Sequence, residues 1–366
     1  MGEAAGGWDC LVPPGLPVLL NPNLMSAREP ARAVTTHPLF CEVLARIWRE
    51  RGREVLIGDS PAGAVRGLRR VWEATGVAEA ARAAGARLVS LETEGSVARP
   101  VASRFLNEIR LTALADTAAV VSLPKLKTHF LTILTGALKN GLGLIPGLAK
   151  AEFHRLAPHP DDFAELLVDI APALQPAFTF VDAVVGLEGD GPASGEVRPF
   201  GLVVAGANAA AVDIVLTRLC GFEAEEVPTV RLSLARKLAP PEPEVVLLGL
   251  RETDLVFDDV AAPGSLWLRH LPRPVLRFAG KQFVIRPAVR EEACTGCRAC
   301  VESCPVGAAR MEGERAVIDP AKCIQCLCCY ETCADEAVYL RPSRAARLYY
   351  GFRDFRRRWR DRRRGT

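Results

Sequence analysis

Nine of the twelve cysteines lie between Cys294 and Cys333, and they lie in a pattern that repeats. Cys294, Cys297, Cys300 and Cys304 give C-x-x-C-x-x-C-x-x-x-C, with Pro305 directly after. Cys323, Cys326, Cys329 and Cys333 give the same spacing, followed by Ala334. Three thiolates separated by two residues each wrap a tight loop around one face of a cuboidal cluster, and amides in that loop can point at its sulfides. A fourth ligand must come from elsewhere in the chain, which ties the two halves of the segment together.

This is the run of the bacterial two-cluster ferredoxins, in which the fourth cysteine of each motif ligates the other motif's cluster. It predicts two [4Fe–4S] clusters. One would sit on Cys294, Cys297, Cys300 and Cys333, the other on Cys323, Cys326, Cys329 and Cys304. Cys328 stands beside Cys329, but only Cys329 restores the spacing, so Cys328 reads as a spare thiol. Structural zinc sites are the rival reading, and their ligands usually come as separated C-x-x-C pairs. Four cysteines per run and an unbroken repeat favour iron–sulfur. A disulfide framework fits less well, because nothing marks the chain for export. Met1 to Asp9 is acidic and glycine-rich, without the basic-then-apolar order of a signal peptide. No run of eighteen apolar residues exists, so no transmembrane helix is expected, and the reducing cytoplasm is the expected compartment.

Charge is unevenly spread. Residues 291–340 carry nine acidic and four basic groups, whereas 267–290 carry six Lys and Arg and no acid. From Arg341 onward eleven Arg face Asp354 and Asp361, with Tyr, Phe and Trp interleaved. The cluster module (291–340) is therefore acidic, between a basic linker (261–290) and an Arg-rich tail (341–366). The tail reads as a helix packing its aromatic side on the protein. Anionic lipid or an acidic protein is the next candidate partner, and nucleic acid is unlikely.

The first 260 residues alternate between apolar runs and helical periodicity. Residues 17–22 (PVLLNP), 53–58 (REVLIG), 87–91, 118–123 (AAVVSL), 177–184, 200–205 and 244–249 read as strands. Helices are expected from His37-Pro38, with Thr35 or Thr36 as cap, and over 65–84, 105–114, 161–174 and 209–219. Continuous apolar strands alternating with helices argue an α/β domain, a mostly parallel sheet with helices on both faces, plus a small α+β ferredoxin-like module. In such sheets ligands bind at the carboxyl ends of the strands.

There, after the strand ending at Leu123, stands PKLKTHFLTILTGALKNGLGLIPGLAK, residues 124–150. It presents Lys125, Lys127, His129, Lys139, Asn140 and Lys150 among four glycines, with His154 just beyond. Glycines admit close approach and lysines supply charge, so this reads as an anion site, or else as a solvated basic loop. It is not a Walker loop, and no dinucleotide fingerprint appears. Asp182 and Glu188 follow, as a general acid and base, as metal ligands, or as a loop cap and a solvated carboxylate. His159 and His270 receive no role, and Cys10, Cys41 and Cys220 read as buried small apolar residues.

These blocks resemble the family called domain of unknown function 362, whose members often carry a ferredoxin-type module at the C-terminus. The matching residues are Thr35-Thr36-His37-Pro38, Pro124 to His129, Thr135 to Asn140, Lys150, His154, Val181-Asp182, Glu188-Gly189, Gly191-Pro192 and Ala211-Val212-Asp213. Leu142-Gly143 departs from the aromatic-glycine pair common there. The resemblance implies a single α/β domain with these residues gathered in one cleft, and it supplies no reaction. The expectation is an iron–sulfur oxidoreductase that exchanges electrons with a soluble donor or acceptor protein and passes them from its clusters to a substrate in the cleft. Lys125, Lys127, Lys139, Asn140 and Lys150 would hold an anionic small molecule, His129 or His154 would supply a proton, and Asp182 and Glu188 would orient or polarise it. An electron-transfer adaptor without turnover, or a non-redox cleft enzyme with structural clusters, are the alternatives.

Overall fold

A computed structural model of the chain describes residues 6–61, 67–241, 244–249, 256–264 and 285–343. The chain divides into two compact units, Met1–Pro263 and Gly264–Thr366. The first holds β1 (Val18–Pro22), β2 (Val55–Ile57), β3 (Arg87–Leu88), β4 (Ser96–Pro100), β5 (Glu108–Thr112), β6 (Ala119–Leu123), β7 (Lys125–His129), β8 (Ile133–Thr135), β9 (Phe178–Glu188) and β10 (Glu196–Gly206). Eight of these form one sheet in the order β3-β2-β1-β6-β9-β7-β8, with β10 on β9, and β4–β5 is a separate hairpin. The pairs β1–β2, β1–β6, β2–β3, β6–β9 and β7–β9 are parallel, while β7–β8 and β9–β10 are antiparallel.

Every residue of β1 and β6 is buried, as a strand covered on both faces requires. Side chains still alternate between faces. Val18 and Leu20 pack with Cys41, Leu44 and Trp48 of the helix Pro38–Arg49. Leu19 packs instead with Phe163, Leu166 and Ile170 of the helix Pro160–Ile170. One apolar cluster thus lies on each side of the sheet. Trp8, Trp48 and Phe180 meet in the first, with Trp8 stacked on Phe180 at 5.7 Å and Trp48 edge-on to it at 6.2 Å.

Several expectations need correction. The cap of Pro38–Arg49 is His37, whose Nδ1 accepts from the Leu39 amide at 3.2 Å. Thr36 instead donates to the Leu123 carbonyl at 2.6 Å and accepts from the Asn23 amide at 2.9 Å, pinning β1 to β6. His159 caps Pro160–Ile170 in the same way, so in this chain His-Pro is a helix-start signal. Residues 105–114 hold no long helix. Glu108–Thr112 alternates exposed Glu108 and Arg110 with buried Ile109 and Leu111, a period of two that belongs to a strand. The helix over 65–84 becomes Leu68–Ala74 and Val77–Ala84, broken at Gly76, whose φ is 73°. The strand over 177–184 continues to Glu188 because β10 pairs along its length. Residues 244–249 form no strand, and Val246 and Leu248 are exposed. Cys41 and Cys220 are buried, but Cys10 is exposed.

In the second unit β11 (Ile285–Val289) pairs antiparallel with β14 (Val338–Pro342), and β12 (Ala309–Glu312) pairs with β13 (Arg315–Ile318). Short helices Ala299–Glu302 and Cys328–Thr332 complete it. Residues 285–290, read as linker, therefore belong to the sheet that closes the cysteine segment. The rest of the basic linker from 265 and the Arg-rich tail from 344 lie outside the described residues. Among the described residues no helix is long and apolar enough to cross a membrane.

Candidate functional site

The cysteines of the second unit gather around two cavities. Cys294, Cys297, Cys300 and Cys333 line the first, and Cys304, Cys323, Cys326 and Cys329 line the second. Each cavity takes three cysteines from one motif and the fourth from the other, and Cys328 lines neither. The backbone repeats with the sequence. Gly296 and Gln325, one position before the second cysteine of each motif, have φ of 69° and 60°. Arg298 and Leu327, one position after it, have φ of 67° and 62°. Left-handed turns at both positions are what winding the chain around a compact body requires.

Backbone amides face the sulfurs. Ala308 and Ala309 donate to Cys304 Sγ at 3.1 and 3.5 Å, Gln325 to Cys323 at 3.4 Å, Ala316 to Cys294 at 3.5 Å and Val338 to Cys333 at 3.4 Å. Burial pushes the Cys300 thiol up to about 12, and the thiolates of Cys333, Cys297 and Cys294 push the same way, which reflects how closely the four approach. The donor set fits a [4Fe–4S] cubane, where each thiolate binds its own corner.

In the first unit the polar residues collect at the carboxyl ends of β1, β2 and β6. The chain leaves β1 for β2 on one side and returns to β6 on the other, so the crevice between β1 and β6 is the sheet's switch point. Residues 124–150 do not form a solvated loop there. Pro124 turns the chain straight into β7, whose five residues are all buried. Lys125 Nζ donates to Asp182 Oδ2 at 2.8 Å, and the His37 amide donates to the same oxygen at 2.9 Å. Both members of this ion pair are buried, at 2% and 1% side-chain exposure. Lys127 donates to Asn23 Oδ1 and to the Val34 carbonyl, each at 2.8 Å. Asn23 Nδ2 donates to Asn140 Oδ1 at 3.3 Å, and Asn140 Nδ2 donates to the Asn21 carbonyl at 3.1 Å and to Ser122 Oγ at 2.9 Å. Asn23 is the half-buried member of this otherwise buried chain and so marks its opening.

A second polar group lies at the end of β2. Lys150 Nζ donates to the Ser60 carbonyl and, at 2.9 Å, to Ser60 Oγ, which in turn donates to Glu92 Oε1. Burial lowers the Lys150 pKa to about 8, against the opposing pull of Asp59 and Glu92. Burial raises the Asp59 carboxyl, whose oxygens accept from the Leu24 and Ser60 amides at 2.8 and 2.9 Å. Gly143 leaves the room this needs, since a Cβ there would come within 2.2 Å of Asp59 Oδ1. Asp59, Ser60, Glu92, Asn21 and Asn23 escaped the sequence reading. The Asp59-Ser60-Pro61 turn at a strand end was the available signal.

The remaining candidates sit in separate settings. His129 Nδ1 accepts from the Leu131 amide at 3.0 Å, and its ring stacks on Phe130 at 4.9 Å. His154 stacks on Phe163 at 4.2 Å. Glu188 is at the end of β9, not in a loop, and accepts from Arg198 at 2.9 Å and from the Ala261 amide at 3.1 Å. Lys139 is half-buried on the turn Ala137–Asn140.

That turn is anchored by Asp213, which accepts from the Ala137 and Leu138 amides at 2.6 and 3.1 Å. Burial pushes the Asp213 carboxyl up to about 7, against the opposing effect of those amides. A carboxyl whose folded pKa exceeds its unfolded one adds stability that is full below about pH 4 and lost as pH rises through the folded value. Between pH 7 and pH 4, urea midpoints should move in favour of the wild type relative to Asp213→Asn as pH falls. A constant difference contradicts this.

Comparison with known proteins agrees with both units. The family model described as domain of unknown function DUF362 matches residues 18–218, and that of a 4Fe-4S dicluster domain matches residues 286–334. The chain is 34% identical over 289 residues to the thylakoid-associated protein sll1697 of Synechocystis sp., covering 78% of this chain and 88% of that one. Over 54 residues the chain is 43% identical to one component of an ion-translocating oxidoreductase complex of Methanosarcina acetivorans, 15% of this chain and 20% of that component. Over 33 residues it is 52% identical to a ferredoxin-like protein of the nif region of Sinorhizobium fredii, 9% of this chain and 52% of that protein. The chain belongs to the DUF362 family and carries a 4Fe-4S dicluster domain behind that family's α/β domain.

Proposed function

We propose that this protein is an iron–sulfur oxidoreductase whose dicluster module holds two [4Fe–4S] clusters and whose α/β domain binds an anionic substrate at the switch point between β1 and β6. The observation that carries the reading is the pair of four-cysteine cavities, each completed by the other motif. When bound, such clusters supply one-electron transfer. The cysteines hold them, the amides on their sulfurs stabilise the added charge, and a protein carrier gives or takes the electrons. The chain's likeness to a component of an oxidoreductase complex supports such a partner. In the α/β domain Lys127, Asn23 and Asn140 supply charge and amide donors at the opening, and Lys125 is held by Asp182. Lys150, with a pKa of about 8, can release or take a proton near neutral pH and fills the role that the sequence suggests for His129 or His154. Thiolate-bound clusters suit the reducing cytoplasm, and the arginines from Arg341 on suit an anionic lipid or acidic protein surface.

The test is to reduce the protein anaerobically and add reducible anions in turn, oxyanions such as nitrite and sulfite and then 2-oxo and α,β-unsaturated carboxylates, following reoxidation by visible absorbance. One class should reoxidise it, and Lys127→Ala should slow that by about tenfold or more, the scale of a lost charged hydrogen bond. A second reading has its own support: Lys125 and Lys127 are both bonded within the chain. If no small anion reoxidises the protein while a carrier protein does, the α/β domain is a docking adaptor without turnover.

A further inference from the structure

The two cysteine motifs repeat in spacing and in backbone, but the walls of their cavities do not match. In the first cavity the residue after the first cysteine is Thr295, the residue after the second is Arg298, and the residue two places past the crossing cysteine Cys333 is Asp335. In the second cavity the same three positions are Ile324, Leu327 and Val306. All three are polar or charged on one side and apolar on the other. Thr295 Oγ1 donates to Asp335 Oδ2 at 2.8 Å across the first wall. Solvent access follows the same division. Cys297 is exposed, whereas Cys326, its counterpart in the second motif, is half-buried and Leu327 beside it is buried.

We propose that the cavities are unequal by construction: the first is the electron port, with the higher reduction potential, and the second is a dry site of lower potential. This rests on the reading that the module holds two clusters. Accepting one electron adds one negative charge to an already anionic cluster. An apolar wall solvates that charge poorly, whereas water at the Cys297 mouth and the Arg298 guanidinium stabilise it. Asp335 acts in the opposite direction, and its bond from Thr295 together with water at the mouth reduces that opposition. At the port one electron passes to or from a carrier protein, which is oxidised or reduced by one electron, and no bond is made or broken. The module's nine acidic against four basic groups over 291–340, with the added charge of the thiolate-bound clusters, fit a carrier with a basic docking face.

The experiment is a redox titration of the anaerobically purified full chain, read by electron paramagnetic resonance. Two one-electron waves should resolve. Arg298→Leu should move the higher wave down and leave the lower in place, whereas Leu327→Arg should move the lower wave up. At partial reduction, a water-soluble dysprosium chelate should speed relaxation of the higher-potential signal more than the other. A single unsplit wave overturns the proposal, as does an Arg298→Leu shift confined to the lower wave, or stronger relaxation of the lower-potential signal. Absence of iron in the purified protein is a different result, because it overturns the cluster reading itself.

Discussion

Cys333→Ala removes the cluster of the first motif, not the one in whose motif Cys333 stands. Iron should fall from about eight to about four atoms per chain, and the signal that survives should be the one abolished by Cys304→Ala. The reason is the crossing: Cys333 lines the cavity of Cys294, Cys297 and Cys300, and Cys304 lines that of Cys323, Cys326 and Cys329. A chain with two self-contained sites would give the reverse assignment. Cys328→Ala serves as the control and should keep full iron, because Cys328 hydrogen-bonds to Cys326 but lines neither cavity, despite its place beside Cys329.

Lys125→Met is the second large effect, and it falls on stability. Asp182 would lose its ion-pair partner in a site where 1% of its side chain is exposed, leaving the His37 and Val184 amides as its donors among the described residues. Breaking a buried ion pair from one side costs about 3–5 kcal/mol, whereas replacing both partners by apolar groups of similar volume costs far less. Urea unfolding followed by tryptophan fluorescence should show that loss for Lys125→Met. The double variant Lys125→Met with Asp182→Leu should recover most of it. A loss below about 1 kcal/mol in the single variant would mean that the pair is not formed as described.

The sheet was legible where strands are buried on both faces. VLLNP and AVVSL declare themselves by unbroken apolar runs, and the helix after His37-Pro38 by Phe40, Val43, Leu44 and Ile47 at helical spacing. The stripe that helix buries is nevertheless Cys41, Leu44 and Trp48, and Val43 is exposed. Reading failed where two periods compete. Leu106, Ile109 and Leu111 suggest a helix until Glu108 and Arg110 are seen to alternate with the buried residues across a hairpin. Lys125 and Lys127 read as the charges of an anion site or as a solvated loop, not as groups bonded inside the sheet, because lysine is seldom fully buried. Tertiary context overrode that: Asp182 and the Asn23–Asn140 chain supply partners inside the sheet, and those partners come from residues far away in sequence. The cysteine module was the most legible part because spacing alone fixes which thiolates share a loop. What spacing does not carry is the difference between Thr295, Arg298 and Asp335 on one wall and Ile324, Leu327 and Val306 on the other, which becomes meaningful once the two cavities are seen side by side.

The central claim is that this chain is an iron–sulfur redox protein, and the most direct measurement is iron, sulfide and zinc analysis of anaerobically purified protein with paramagnetic resonance after dithionite reduction. About eight irons and eight sulfides per chain, with signals from two interacting reduced cubanes, are the predicted result. Stoichiometric zinc with no such signal would contradict it.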